Sequence, residues 1–484
     1  MPNKKVILTL LLCYILISIE GLAESSALAA EQVTKQNIVH TMRKASEYYR
    51  DKLAVHGGYV YYYSLDLQQR WGEGKAGPNQ IWVQPPGTPT VGLAYLSAWQ
   101  ATGDQFYLDA ATDAALSLVY GQLKSGGWTN SVDFNPKSKL TADYRNGKGR
   151  GKNNSTLDDG ITQSAIQLLI HVDKAHQFQH QKIHQAAMIA LNALLEAQFP
   201  VGAFPQVWTG PVKKIPAKAA NFPKYDWRTE GRIKNYWDYY TLNDGLAGYV
   251  STVLIDAYEI YQDERYQQAV LKLGDFLIEA QLPDPQPAWA QQYNYEMQPI
   301  WARKFEPPAV TGGESQDAIE TLMKIYRFSG DKKYLKPIPK ALAYLRKSQL
   351  PNGQLARYYA LQTNRPLYMN RNGKKYSLTY DDSNLPRHYG WKIDSQLAEL
   401  QREFNIVKSG KQKQASHLNR RKLMPQVKTI LNTLDDQARW ISISTGQRLV
   451  GQPKFPVNSH FISSEVFSQN LETLSAYLLT LKSD

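Results

Sequence analysis

The chain has 484 residues, enough for a large core or for two to three domains. Its net charge of +13 argues against a basic partner and for an acidic one: a polyanionic polysaccharide, a nucleic acid or a membrane surface. A single cysteine, Cys13, excludes a disulfide framework.

Residues 1–29 read as a secretory signal. Lys4 and Lys5 precede an apolar run from Val6 to Ile19, and Ala27-Leu28-Ala29 offers a cleavage site, with Gly21-Leu22-Ala23 as a second option. The run is short for a bilayer, so an uncleaved anchor is the lesser alternative. Cys13 lies inside it after Leu11 and Leu12, without the small residue that precedes a lipid-modified cysteine. The mature chain would then hold no thiolate nucleophile and no Cys-type metal site. The expected location is secreted or periplasmic, with one domain from residue 31 to 484.

Gly57 to Pro89 is rich in Gly, Pro and aromatics and is expected to be irregular or short-stranded. Its Gly72-Glu73-Gly74-Lys75-Ala76-Gly77 matches G-x-G-x-x-G, but the prolines that follow deny it the helix a dinucleotide site needs. A repeat then begins. Four units each read as an outgoing helix, a tight turn, a returning helix and a Gln-x-Pro-x-Gly-like exit: 89–128, 158–208, 247–293 and 316–359. The turns are Gly103-Asp104, Asp263-Glu264 and Gly330-Asp331, suited to ending one helix and capping the next. Ala269, Val270, Leu273, Phe276, Leu277 and Ala280 mark the apolar face of one returning helix. One hairpin cannot bury such a face alone, and four or more stacked hairpins can, either as an open solenoid or closed into a ring. The expected fold is all-α, an (α/α) toroid with long irregular loops on one end.

The second repeat opens on Thr156-Leu157-Asp158-Asp159-Gly160 and the third on Thr241-Leu242-Asn243-Asp244-Gly245. In a ring these starts share one end, so the acids can converge. Adjacent carboxylates and an amide oxygen suit a hard cation such as Ca²⁺. Helix N-capping accounts for either acid taken singly. His171, His176, His180 and His184 occupy the turn of the second repeat, outside the ring, without a general-base Glu of the H-E-x-x-H kind. No G-x-S-x-G elbow and no Walker loop occurs, and a glycosidase carboxylate pair stays open.

Lys213 to Trp237 is an insertion dense in Lys, Arg and aromatics. Trp289 to Ser315 has neither helix nor strand period, yet holds two Trp, two Tyr, a Phe, Arg303 and Lys304. It reads as a cleft floor facing an acidic ligand, or as an ordered loop capping helix ends. Arg357, Arg365 and Arg371 follow, the last two in a long loop from Thr363 to Trp391. Guanidinium groups bind carboxylates bidentately, so several in one groove match a polyuronate. Lys408 to Lys428 reads as a basic helical segment with a solvated face.

These residues resemble the pectate lyases of polysaccharide lyase family 10. The resemblance rests on Gln291-Gln292-Tyr293 with Pro299 to Ser315, on Ala356-Arg357-Tyr358-Tyr359 with Thr363-Asn364-Arg365-Pro366-Leu367-Tyr368, and on the two Asp-bearing openings. It implies an (α/α) toroid, Ca²⁺, and anti-β-elimination on polygalacturonate, with no nucleic-acid partner and a monomeric chain. It implies Arg303 as the base at C5 and Asp244, Asp158 and Asp159 as metal ligands. Asp158, Lys304, Arg357, Asn364, Arg365 and Arg371 are the expected substrate-binding residues. Asp159 stands where the family pattern has Asn, and Ile161 where it has a small residue. A non-catalytic polysaccharide-binding protein and a hydrolase of uronic-acid oligosaccharides remain the alternatives.

Overall fold

The computed structural model describes residues 33–229, 231–232, 234–410, 419–451 and 453–482. Residues 1–29, expected to be a secretory signal, lie outside the described residues, Cys13 among them. The helices are α1 (Lys35–Tyr48), α2 (Thr88–Thr102), α3 (Gln105–Gly121), α4 (Ile161–Ala175), α5 (Gln181–Glu196) and α6 (Leu246–Tyr261). They continue as α7 (Glu264–Glu279), α8 (Gly312–Ser329), α9 (Ile338–Lys347), α10 (Leu397–Lys408), α11 (Arg420–Asn432) and α12 (Ser464–Thr480).

The four hairpins expected from the repeat are α2/α3, α4/α5, α6/α7 and α8/α9, and each packs as a pair. The outgoing helices α2, α4, α6 and α8 pack side by side in an inner layer. The returning helices α3, α5 and α7 form the outer row. Beyond the repeat, α10 packs on α8 and α9, and α11 packs on α12 and α1. The closure is made by α12, which packs along α2 and against α1. The two ends of the chain thus complete the (α/α) toroid. None of the described helices is long and apolar enough to cross a membrane.

Local chemistry accounts for the hairpins. Asp104, Asp263 and Asp331 each accept from the backbone N–H two residues on, satisfying a free donor of the returning helix or turn. Gly103 and Gly330 end the outgoing helices at φ of 76° and 73°. In the third hairpin Gln262 takes the same left-handed position at φ 55°, where glycine would be unstrained. The six apolar residues assigned to the face of α7 are all buried. Each such side chain contributes roughly 1.5–3 kcal/mol if large.

The recurrent exit glutamine also has a structural role. Gln122 donates through Nε2 to Gly126 O at 2.8 Å and to Ala186 O of α5 at 2.9 Å. Gln198 does the same to Gly202 O and Ala269 O of α7. Gln281 bridges Pro287 O and Pro337 O. Each glutamine therefore ties its own exit loop to the next outer unit. Replacing the fully buried Gln122 by Leu removes both of these bonds and the acceptor of Arg145 Nη1. The expected loss is about 1–3 kcal/mol, read by thermal or urea denaturation.

Two sequence readings need correction. The stretch from Thr363 to Trp391 is not simply a loop: Pro366–Asn372 and Lys375–Thr379 form an antiparallel hairpin turning at Gly373 and Lys374. Lys408 to Lys428 is not one helix, since α10 ends at Lys408 and α11 starts at Arg420, with residues 411–418 outside those described. Gly72 serves packing: a Cβ there would sit 2.0 Å from the Trp82 ring. The insertion lies over residues 296–301. Asn221 donates to Glu296 O at 2.8 Å, the Tyr225 hydroxyl to Pro299 O at 3.1 Å, and the Trp301 indole to Trp227 O at 3.0 Å.

Candidate active site

The inner helices α4 and α6 each start from a 3₁₀ turn, Asp158–Gly160 and Asn243–Gly245. The turns are internal equivalents. Asp159 (φ 45°) matches Asp244 (φ 55°), and Asp158 matches Asn243. Each left-handed Asp is followed by a left-handed glycine, Gly160 or Gly245, which a side chain would strain further. Neither helix is capped by a carboxylate; Gly160 and Gly245 hold the cap positions. Capping therefore does not explain these acids.

Side-by-side packing of α4 and α6 brings Asp158, Asp159 and Asp244 together. One oxygen from each lies within 4.8 Å of the others. Gln206 donates to Asp158 Oδ1 at 2.6 Å, Gln84 donates to Asp159 Oδ2 at 2.9 Å, and Asn243 donates to Asp244. Burial, then Asp158 and Glu73, push the Asp159 carboxyl up to about 6, against the pull of Arg303. Burial, then Asp158 and Asp159, raise Asp244 further. The donor set is all oxygen. Asn243 Oδ1 and Glu314 Oε2 are buried with no hydrogen-bond donor among the described residues. Crowded carboxylates beside unsatisfied oxygens fit a hard divalent cation, which takes six to eight oxygen ligands.

The cationic half is built from the stretch after Pro299. Arg303 Nη2 meets Glu306 Oε1 at 2.5 Å, and the Arg303 backbone N–H donates to Glu306 Oε2 at 2.9 Å. The Glu306 N–H donates back to Arg303 O at 2.9 Å. The spacing Arg-x-x-Glu is thus one closed turn, and Glu306 is only 1% exposed. The Tyr389 hydroxyl donates to the same Glu306 Oε1 at 2.8 Å. The Arg303 guanidinium sits 5.0 Å from the Phe305 ring and 5.6 Å from the Tyr389 ring. Burial pushes Glu306 up, but Arg303 and the Tyr389 hydroxyl outweigh it and hold the carboxyl below its usual range. Burial also works against the Arg303 charge, and Glu306 more than offsets it, raising Arg303 above its ordinary value.

Arg357 lies on the other side of Tyr389. Its guanidinium is 4.6 Å from that ring, and its Nε donates to Gly390 O at 2.5 Å. Burial would lower its pKa; Tyr389, Glu314 and Asp244 raise it, which places Arg357 in the field of the acidic cluster. Lys304 donates to Lys374 O at 3.1 Å, and Arg371 donates to Gly373 O at 2.9 Å, both beside the Tyr376 ring. These two cations flank the Arg303 loop at the tip of the 366–379 hairpin.

Two expected residues go elsewhere. Asn364 is consumed inside the protein: its Nδ2 donates to Ser348 Oγ at 2.8 Å, and its Oδ1 accepts from Tyr344 and Gln286. It staples a loop rather than meeting a ligand. Arg365 stacks 3.7 Å over Tyr380. The histidines are likewise engaged singly, His171 with Asp256, His184 with Asp173 and His176 with Thr112. The sequence reading missed Tyr389, Gln84, Gln206 and Glu314. Glu314 stood inside the run from Pro299 to Ser315, but nothing local marks Tyr389.

The pectic acid lyase family model matches residues 122–325, less than half of the chain. A comparison with curated proteins finds no match. Among solved structures, a mutant family 10 polysaccharide lyase from Cellvibrio cellulosa in complex with trigalacturonic acid is 22% identical. It covers 61% of this chain and 91% of its own, with a TM-score of 0.45. The GH76 α-mannanase of Bacteroides thetaiotaomicron is 13% identical over 92% of this chain and 96% of its own, with a TM-score of 0.43. The resemblance to the pectic acid lyases is borne out by this match, whose residues 122–325 include Asp158, Asp159, Asp244 and Arg303.

Proposed function

We propose that the protein is a secreted or periplasmic pectate lyase that cleaves polygalacturonate by anti-β-elimination. The observation that carries this reading is the meeting of three carboxylates with Arg303 and Arg357 where two inner helices begin. A polyuronate brings one carboxylate per sugar, which the arginines can bind and the acids alone would repel. Asp158, Asp159 and Asp244 would hold Ca²⁺, which when bound supplies charge that favours the enolate-like carboxylate. Arg303 takes the proton from C5. The electron pair left behind forms the C4–C5 double bond, and the bond from C4 to the leaving oxygen breaks, its pair staying on that oxygen, which takes a proton from water. Arg357, Lys304 and Arg371 orient substrate carboxylates.

Glu306 sets the pH dependence of such a base. The ion pair favours protonated Arg303, so the free-base fraction is small at neutral pH and grows with pH. The expected kcat rises by about tenfold per pH unit through the alkaline range, as for one essential deprotonation. A kcat independent of pH from 7 to 10 would remove Arg303 from the proton transfer. Tyr389 tunes the same pair. Tyr389→Phe leaves Glu306 one donor short, so the carboxylate holds Arg303 more tightly. The expected result is a kcat lowered roughly 3- to 10-fold at fixed pH with KM little changed, of the size of the net contribution of one ordinary hydrogen bond.

The deciding experiment is product chemistry. Unsaturated oligogalacturonides absorb in the ultraviolet; saturated ends would mark a hydrolase, and binding without product a non-catalytic module.

A further inference from the structure

A groove of about 670 Å³ runs beside the acidic cluster. Its floor includes Gln80 and Trp82 on the strand Gln80–Trp82, and its wall is the excursion from Asn135 to Asn154. That excursion carries six cations and one acid, Asp143. Three lysines, Lys75, Lys139 and Lys152, line the groove with no carboxylate among its walls. None of the three has an ion pair among the described residues. Two other cavities hold more acids than lysines: one is lined by Asp244, Asp317 and Glu320 with Lys324, another by Glu47, Asp51, Asp435 and Asp436 with Lys44 and Lys52.

The groove is continuous with the centre. Thr156 lines it, and its Oγ1 accepts from the Asp158 backbone N–H at 3.1 Å. Two residues beyond Trp82, Gln84 donates to Asp159. Asn130, Asn154, Thr129 and Thr141 offer amides and hydroxyls along the walls. The Trp82 indole N–H, in a residue 6% exposed, has no acceptor among the described residues. Lysines spaced among neutral hydrogen-bonding groups suit a ligand that is both hydroxylated and anionic. Most of these residues precede Asn154 in the chain, and Lys75, Gln80 and Trp82 precede the family match altogether.

We propose that this groove is a distal subsite for the carboxylated sugar chain, holding uronate units remote from the bond that is cut. The proposal rests on the polyuronate reading of the centre. It makes the enzyme prefer long chains, because only they reach Lys139 and Lys152 while occupying the Asp158–Arg303 centre. Charge attraction also makes this preference salt-sensitive.

The test is the double variant Lys139→Ala/Lys152→Ala, both exposed positions whose replacement leaves the core intact. Retention is measured by electrophoresis in gels containing polygalacturonate or dextran sulfate, and kinetics on polygalacturonate and trigalacturonate. The expected result is polygalacturonate binding weakened roughly 3- to 10-fold, as for two exposed charge pairs, with KM rising in step. Kinetics on trigalacturonate and the polymer kcat stay unchanged. Unaltered polymer binding, or equal losses on trimer and polymer, overturns the subsite. An equal loss on dextran sulfate overturns its assignment to carboxylated sugars. If the wild type makes no unsaturated product while the variant still binds polygalacturonate more weakly, the subsite stands and the lyase reading falls.

Discussion

Arg303→Lys is expected to lower kcat on polygalacturonate by roughly 100-fold or more, the range for removing a general base. Binding of the polymer should change little, because lysine keeps the positive charge. What it loses is the planar fork. Arg303 uses one end of its guanidinium on Glu306 at 2.5 Å and rests against the Phe305 and Tyr389 rings, which contact each other. An ammonium can keep the Glu306 pair or reach the C5 proton, but it cannot do both from one nitrogen. The Pro307-Pro308 pair and the closed Arg303–Glu306 turn hold the loop in place, so repositioning does not rescue the shorter side chain. The measurement is ultraviolet absorbance of product alongside polymer binding. A variant with near-normal kcat and weakened binding would make Arg303 a carboxylate clamp and move the base to Lys304.

The second large effect concerns the cation. Excess chelator is expected to abolish activity and added Ca²⁺ to restore it; unchanged activity in chelator would remove the metal from the reaction. Asp244→Asn gives a readout independent of turnover. Two unit charges 4.8 Å apart repel by about 3 kcal/mol at an effective dielectric constant of 20, and Asp244 faces two such neighbours. The metal-free wild type should therefore melt at a lower temperature than Asp244→Asn, while only the wild type gains stability from Ca²⁺. The sign of the pH effect follows. Burial, Asp158 and Asp159 raise the Asp244 carboxyl above its ordinary 3.8, so the folded form binds a proton that the unfolded form has lost. In chelator the wild type loses stability as pH rises from 4 upward, and Asp244→Asn lacks that slope. Scanning calorimetry with and without Ca²⁺ reads both. Equal melting curves for the two proteins in chelator would mean that the cluster is relieved in some other way.

The helical hairpins were legible in the sequence because their causes are short-range. A 3.6-residue apolar period, a Gly-Asp turn and an exit glutamine act within one unit, so α2 to α9 could be placed from composition and spacing. The Arg-x-x-Glu-Pro-Pro run was legible for the same reason: it closes on itself within four residues. Even there the partner of Glu306 was hidden. Tyr389 comes from 83 positions away, and only the course of the chain after the 366–379 hairpin brings its hydroxyl to the carboxylate. The acids divide likewise. That Asp158, Asp159 and Asp244 precede inner helices was readable, whereas their separation of less than 4.8 Å depends on the register of α4 against α6. Asn364 carried the motif, but a local pattern does not show that Ser348, Tyr344 and Gln286 engage its amide. Closure of the ring was beyond any local signal, because α12 finds α1 and α2 only through packing of surfaces at opposite ends of the chain. Periodicity determined what each segment buries; tertiary packing alone decided which charges meet, because charge–charge contact is set in ångströms by neighbouring helices and not by distance along the chain.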